Sequence, residues 1–161
     1  MPNFEAFIGK VNSGLMLNNR FAVTCGKLGG DAHLLCQSAT LPVISIQYFE
    51  YKQTGHGMKI PNNFTFEPLS LTFIVDKNGS PYKEAYQWID SILTEKYEFN
   101  EMSSYEEDIT VEEYAPDDSL VGTWKYQNCY PTQITPKEKT NKGTDVDTFT
   151  MTFMYEQSSY S

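Results

Sequence analysis

The residues with the most chemical potential in this chain are two histidines, three cysteines and a run of carboxylates. Cys25, His33 and Cys36 stand close enough in sequence to raise the question of zinc. Zinc sites read from sequence carry paired short spacings, which these residues lack, so no metal is expected. Cys129 makes the count odd, and three free thiols in a reducing compartment is the plain reading. The carboxylates crowd into Glu95–Asp118, which holds ten of the chain's 21 acids against one base, Lys96. Glu106, Glu107 and Asp108 lie a few residues from Glu112 and Glu113. A glycosidase needs two carboxyls held in a cleft at a set separation, and nothing marks one pair among these. Asp117-Asp118 lacks the D-x-[DN]-x-[DN]-G calcium loop. GxSxG, HExxH, the P-loop and GxGxxG are all missing. The residues therefore predict no catalytic site, no cofactor and no metal, and the acids read as a charged surface.

Composition narrows the rest. At 161 residues the chain fits one domain, 1–161, with a sizeable core. Charged residues are 20% and aromatics 14%, which excludes a disordered polyelectrolyte. A net charge of −9 argues against gripping nucleic acid, which needs Lys and Arg in number. Like charge does suit a surface that stands near DNA without holding it. Apolar runs are short, so no membrane insertion is expected. The N-terminus has no basic flank before a long apolar core, so a secretory signal is not expected either.

The elements that position these residues are mostly strands. Leu69, Leu71, Phe73 and Val75 alternate with Ser70 and Thr72, the period of a half-buried strand. Asp76-Lys77-Asn78-Gly79 breaks it. Ser80 is placed to cap a helix and Pro81 to open it. Tyr82, Ala85, Tyr86, Ile89, Ile92 and Leu93 then recur at helical steps, predicting one helix over about 81–95. Phe149, Met151, Phe153 and Tyr155 alternate with threonines much as the Leu69 strand does, so the two are expected to pair.

Phe21–Cys25 and His33–Ala39 read as a hairpin joined at GKLGGD. VISIQYFEY, residues 43–51, is apolar on both faces and must be covered twice or meet a partner. Residues 52–63, polar with two glycines and a proline and flanked by strands, read as a long hairpin tip, a protruding loop standing clear of the core. Ile109 and Val111 mark a short strand among the acids. Val121–Tyr130 is a strand that Pro131 ends or kinks. Residues 1–19 show no clean period and read as an arm packed on something else.

Five of these stretches, in order, resemble the tail tube proteins of contractile-tailed bacteriophages. They are NRFAVTC, LLCQSATLP, FTFEPLSLTFIVDKNGSPYKEAYQWIDSI, VGTWKYQNCYPTQITP and DTFTMTFMYE, and together they cover most of residues 19–155. The stretch before the last strand, PKEKTNKGTDV, and the ending MYEQSSYS depart from the family pattern.

The resemblance implies a mainly β fold, a small barrel or sandwich with one helix and a long protruding hairpin. It implies a structural subunit, with no enzyme activity, that forms stacked hexameric rings around a channel for genome delivery. The related alternative is the inner tube of a type VI-like or extracellular contractile injection system. Implied partners are other copies of the chain, the tail sheath protein, the baseplate or tube initiator and the tail terminator. DNA would pass without specific binding. The implied location is the virion tail, and the host cytoplasm during assembly. Expected contacts between subunits fall on Phe4, Phe7, Tyr48, Tyr51, His56, Met58 and Ile60. Glu106, Glu107, Asp108, Glu112 and Glu113 are expected on the lumen or the sheath-facing wall. A small β-barrel hydrolase using the acidic segment is the competing class.

Overall fold

A computed structural model describes residues 4–16, 20–29, 35–141, 143 and 145–161; the side chains of Phe4, Ala6, Phe7 and Lys10 also lie outside that description. The expected contacts at Phe4 and Phe7 therefore fall on side chains that are not described, and His33 lies outside the described residues.

The described residues form nine strands, β1 (Phe21–Cys25), β2 (Cys36–Thr40), β3 (Ile44–Gln53), β4 (His56–Phe66), β5 (Leu69–Ile74), β6 (Glu107–Tyr114), β7 (Leu120–Pro136), β8 (Thr148–Met154) and β9 (Gln157–Tyr160). Three α-helical segments accompany them, α1 (Phe4–Asn12), α2 (Tyr82–Asp90) and the single turn α3 (Met102–Tyr105). Seven strands join in the order β1–β6–β7–β8–β5–β2, with β9 also on β7, while β3 and β4 pair only with each other.

The long strand β7 makes this one folded object. Its first half pairs with β6 and β9, and its second half pairs with β8. The register shifts between Pro131 and Gln133, where the strand bends from one layer to the other. A strand that switches sheets through a bulge is how two layers share a corner. Pro131 therefore bends β7 without ending it, because the kinked residue falls where the layers part. Val23, Ile109, Val111 and Tyr126 of one layer are buried in the same core as Leu69, Leu71, Phe73, Phe149, Met151 and Phe153 of the other.

The expected pairing of β5 with β8 is present, with Leu69 opposite Phe153, Leu71 opposite Met151 and Phe73 opposite Phe149. The matched alternation aligns both apolar sets in one register, since a slip by one residue would turn each set to the wrong face. Phe73 and Phe149 stack at 5.5 Å between ring centres.

The expected β1–β2 hairpin does not form. β1 pairs with β6, placing Val23 opposite Val111 and Cys25 opposite Ile109, and β2 pairs with β5. Each strand takes the neighbour that continues its own buried face. A 3-10 turn, Gly26–Leu28, follows β1 directly and buries Leu28.

The helix expected over about 81–95 is shorter, Tyr82–Asp90. Pro81 occupies the cap position, and the Ser80 hydroxyl donates to the Glu84 carboxylate instead of capping a backbone N–H. Ala85 and Trp88 are its buried residues, whereas Ile89 is half-buried. Trp88 packs on Phe153 at 5.4 Å between ring centres and donates its indole N–H to the Tyr105 carbonyl at 2.6 Å. Helix α1 in the N-terminal arm was not expected. Gly9 and the irregular spacing hide it, and it exposes Ile8 and Val11.

Candidate assembly surface

The hairpin tip expected at residues 52–63 is itself built of strand, since β3 reaches Gln53 and β4 starts at His56. Thr54 and Gly55 both take positive φ, 48° and 82°. That is the backbone of a two-residue turn whose twist suits a β-hairpin. β3 and β4 then pair from Gln53–His56 down to Ile44–Phe66. A ribbon with two free edges tolerates Pro61, because no third strand needs its missing N–H.

Register and alternation assign the faces. The pairing shifts once, leaving Asn62 as the extra residue on β4. One face carries Ile44 opposite Phe66, Ile46 opposite Phe64, Tyr48 opposite Pro61 and Glu50 opposite Lys59. The other carries Phe49 opposite Ile60 and Tyr51 opposite Met58. The apolar surface thus changes sides along the ribbon. Near the body it lies on the first face, where Phe66 meets the Tyr155 ring at 5.6 Å between centres. Towards the tip it lies on the second face, where Phe49, Tyr51 and Met58 are 46%, 51% and 64% exposed and Ile60 is partly covered.

Among the expected contact residues, the structure brings Tyr51, Met58 and Ile60 together. It puts Tyr48 on the opposite face, beneath the Lys59 ammonium at 5.1 Å from the ring centre. It puts His56 at the turn, paired with Gln53. Phe49 belongs to the cluster and was missed, although its two-residue step from Tyr51 was the available signal.

Two buried tyrosines hold the feet of the hairpin. The Tyr126 hydroxyl donates to the Pro42 carbonyl at 3.3 Å, just before β3. The Tyr155 hydroxyl donates to the Glu67 carbonyl at 2.9 Å, just after β4. The two rings meet edge to face at 4.9 Å. Burial raises both phenols above their ordinary range, with nearby Cys129 adding to the effect, so both stay protonated and able to donate.

The five expected surface acids do not form one free cluster. Glu106 precedes β6, and the Glu107 carboxylate lies beside Gly26. Asp108 faces Lys125 at 3.6 Å and accepts the Asn128 backbone N–H. Glu112 accepts the Tyr114 hydroxyl, and Glu113 accepts the Trp124 indole N–H at 3.1 Å. Local partners occupy most of these carboxylates. Sequence showed their number but not their neighbours.

Because the β1–β2 hairpin does not form, Cys25 and Cys36 lie on strands of different layers. Burial pushes Cys25 up to about 11 and Cys129 up to about 12 from 9.0. The folded values exceed the unfolded one, so their contribution to stability is complete below pH 9 and is lost as pH rises through 11 and 12. Each thiol then removes about 1.4 kcal/mol of stability per pH unit within its window. The urea midpoint is expected to fall above pH 9.0, and the fall should flatten in a Cys25→Ala, Cys129→Ala protein. Identical slopes in the two proteins would refute this assignment.

A two-layer β core that sends an apolar ribbon away from itself has the form of a subunit completed by another chain. The model of one family, described as phage tail tube protein, matches residues 4–161. The chain belongs to that family. Its members are structural subunits of tail tubes, not enzymes, and the protein is a component of a phage or injection-system tail. No curated protein matches the sequence. Among solved structures, the fold is similar to a chain of the sheath-tube complex of the extracellular contractile injection system PVC in its extended state. That chain is 23% identical over 91% of each chain, with a TM-score of 0.70. A chain of the anti-feeding prophage tube terminating cap is 19% identical over 91% of each chain, with a TM-score of 0.71. Hcp1 from Flavobacterium johnsoniae is 10% identical over 88% of this chain and 94% of that one, with a TM-score of 0.56.

Proposed function

We propose that residues 1–161 form one tube domain whose copies close into rings of six, and that the rings stack into the channel of a contractile phage tail. The observation that carries this reading is the β3–β4 ribbon, whose distal apolar face, Phe49, Tyr51 and Met58, is left largely uncovered by the described residues. A heterologous contact of this kind closes a ring or propagates a filament, depending on the rotation between copies. The same association would protect the free edges of the ribbon and of β1 and β2. The arm 1–19 contributes further contacts between copies, including Phe4 and Phe7. The sheath protein surrounds the tube, a baseplate or initiator protein starts it and a terminator ends it, partners in keeping with solved relatives drawn from a sheath-tube complex, a tube terminator and a baseplate. Asp108 and Glu112 share the outward face of β6 and flank the channel, where negative charge lets DNA slide without binding. Subunits collect in the host cytoplasm and end in the virion.

Electron microscopy of the purified protein, alone and with baseplate, tests this. Stacked six-fold rings are expected. A protein that stays monomeric at every concentration and never joins a tube would overturn the proposal. A map placing Asp108 and Glu112 on the sheath side would remove the lumen assignment alone. The second reading, an injection-system tube carrying a protein cargo, is favoured by the likeness to PVC and Hcp1 structures. Capsid and terminase genes beside this one would decide for the phage.

A further inference from the structure

The β3–β4 ribbon leaves the core through two feet. From Ile44 to Thr65 every hydrogen bond and ring contact among the described residues stays inside the ribbon, which pairs with no other strand. The first foot is the chain between β2 and β3, residues 41–43, and the second is the chain between β4 and β5, residues 67 and 68. Each foot carries a proline, Pro42 in one and Pro68 in the other. Proline fixes its own φ and restricts the residue before it, so few backbone conformations are open to either foot. Neither proline has an N–H with which to bind the core.

One buried phenol reaches each foot. Tyr126, from the strand that changes layers, donates to the Pro42 carbonyl, and Tyr155, from the link between β8 and β9, donates to the Glu67 carbonyl. No other side chain bonds to either foot among the described residues. The two rings pack on each other, and Tyr155 also meets Phe66, so both hydroxyls are held from the same part of the core. The leverage is large. β3 has ten residues, so at about 3.3 Å each the ribbon extends about 30 Å, and a swing of about 10° at the feet moves its tip by about 5 Å. A tip that far out of place misses a packed contact, and a ribbon free to swing must be ordered each time it binds.

We infer that Tyr126 and Tyr155 are positioning residues for assembly, whose hydroxyls fix the direction in which the ribbon leaves the core. Two bonds at separate feet resist both tilt and twist, which one bond would not. The rings themselves fill the core, and the hydroxyls are the part that reaches the feet. The inference rests on the proposed tube, in which the ribbon tip meets a second copy, and it adds what points the tip there.

Tyr126→Phe with Tyr155→Phe removes both hydroxyls and keeps both rings, and each single variant is made beside it. Spin labels at Thr54→Cys in the turn and Lys77→Cys on the body, both exposed positions, report where the tip stands in a Cys36→Ser background. Cys25 and Cys129 are buried and stay unlabelled. Distances are read on monomer below the concentration for tubes, and unlabelled protein is checked for folding by circular dichroism and for assembly by sedimentation. The parent is expected to give one narrow distance. The double variant should fold, broaden that distance or shift it by about 5 Å or more, and need roughly tenfold more protein for tubes. An unchanged distance, or tubes at the parent's concentration, would overturn the inference and leave the tube proposal standing. If the double variant does not fold, the single variants decide by the same two readings. Parent protein that forms no tubes would overturn the tube proposal and the assembly half of the inference, while the monomer distances still decide whether the hydroxyls direct the ribbon.

Discussion

A protein carrying Phe49→Thr, Tyr51→Thr and Met58→Thr should fold as the parent does and form no tubes. The three side chains share one face of the ribbon, stand clear of the core and are each about half exposed or more. Removing them takes little from the folded monomer, because they bury little within it. Threonine keeps the β preference of the strands, so the ribbon itself should persist. Assembly loses the apolar anchors of a contact repeated at every subunit. Truncating interface anchors costs about 2 kcal/mol or more each, without strict additivity, so the concentration needed for tubes should rise roughly hundredfold or more. Melting temperature and sedimentation report the two effects separately. A fall in melting temperature of about 10 °C would show that the ribbon supports the fold, and unchanged assembly would show that another face joins the copies.

The second large effect is expected at Trp88. Its ring is 3% exposed, packs on Phe153 and donates to the Tyr105 carbonyl. It fastens α2 to the β8 layer and to the short segment that leads into β6. Trp88→Ala should cost about 3–5 kcal/mol, from lost burial and an unfilled cavity, and leaves the carbonyl without its donor. That is a large part of the about 5–15 kcal/mol that holds an ordinary domain together. Trp88→Phe restores most of the volume but not the N–H, and should cost about 1–2 kcal/mol. Urea unfolding of both proteins measures the difference. Equal midpoints for the alanine and phenylalanine variants would mean that the hydrogen bond, not packing, carries the effect. Ile89, which helical spacing placed on the inner face, is half-buried and should tolerate substitution better than Trp88.

Sequence by itself determined the elements whose apolar period matches their surroundings. β5 and β8 are legible because each buries one clean face, and alternation states which residues those are. α2 is legible because a turn, a proline and a change of period fall together. The family resemblance is carried by these same stretches, since they form the core that tube subunits share.

Tertiary structure decided the rest, for a physical reason in each case. Partner choice for β1 and β2 depends on which buried face lies alongside in the other layer, and closeness in sequence does not contain that. Pro131 bends β7 without ending it because the chain changes layers there. The hairpin tip at 52–63 was legible, but that its strands run almost to the turn was not, because polar and turn-forming residues do not reveal that a free-edged hairpin accepts both. The acids at 106–113 were counted correctly in sequence, yet only the fold shows Lys125, Tyr114 and Trp124 already beside three of them. The ribbon tip is locally readable as apolar residues among polar ones. Its exposure, and with it the need for a second chain, follows only from knowing which residues the core leaves out.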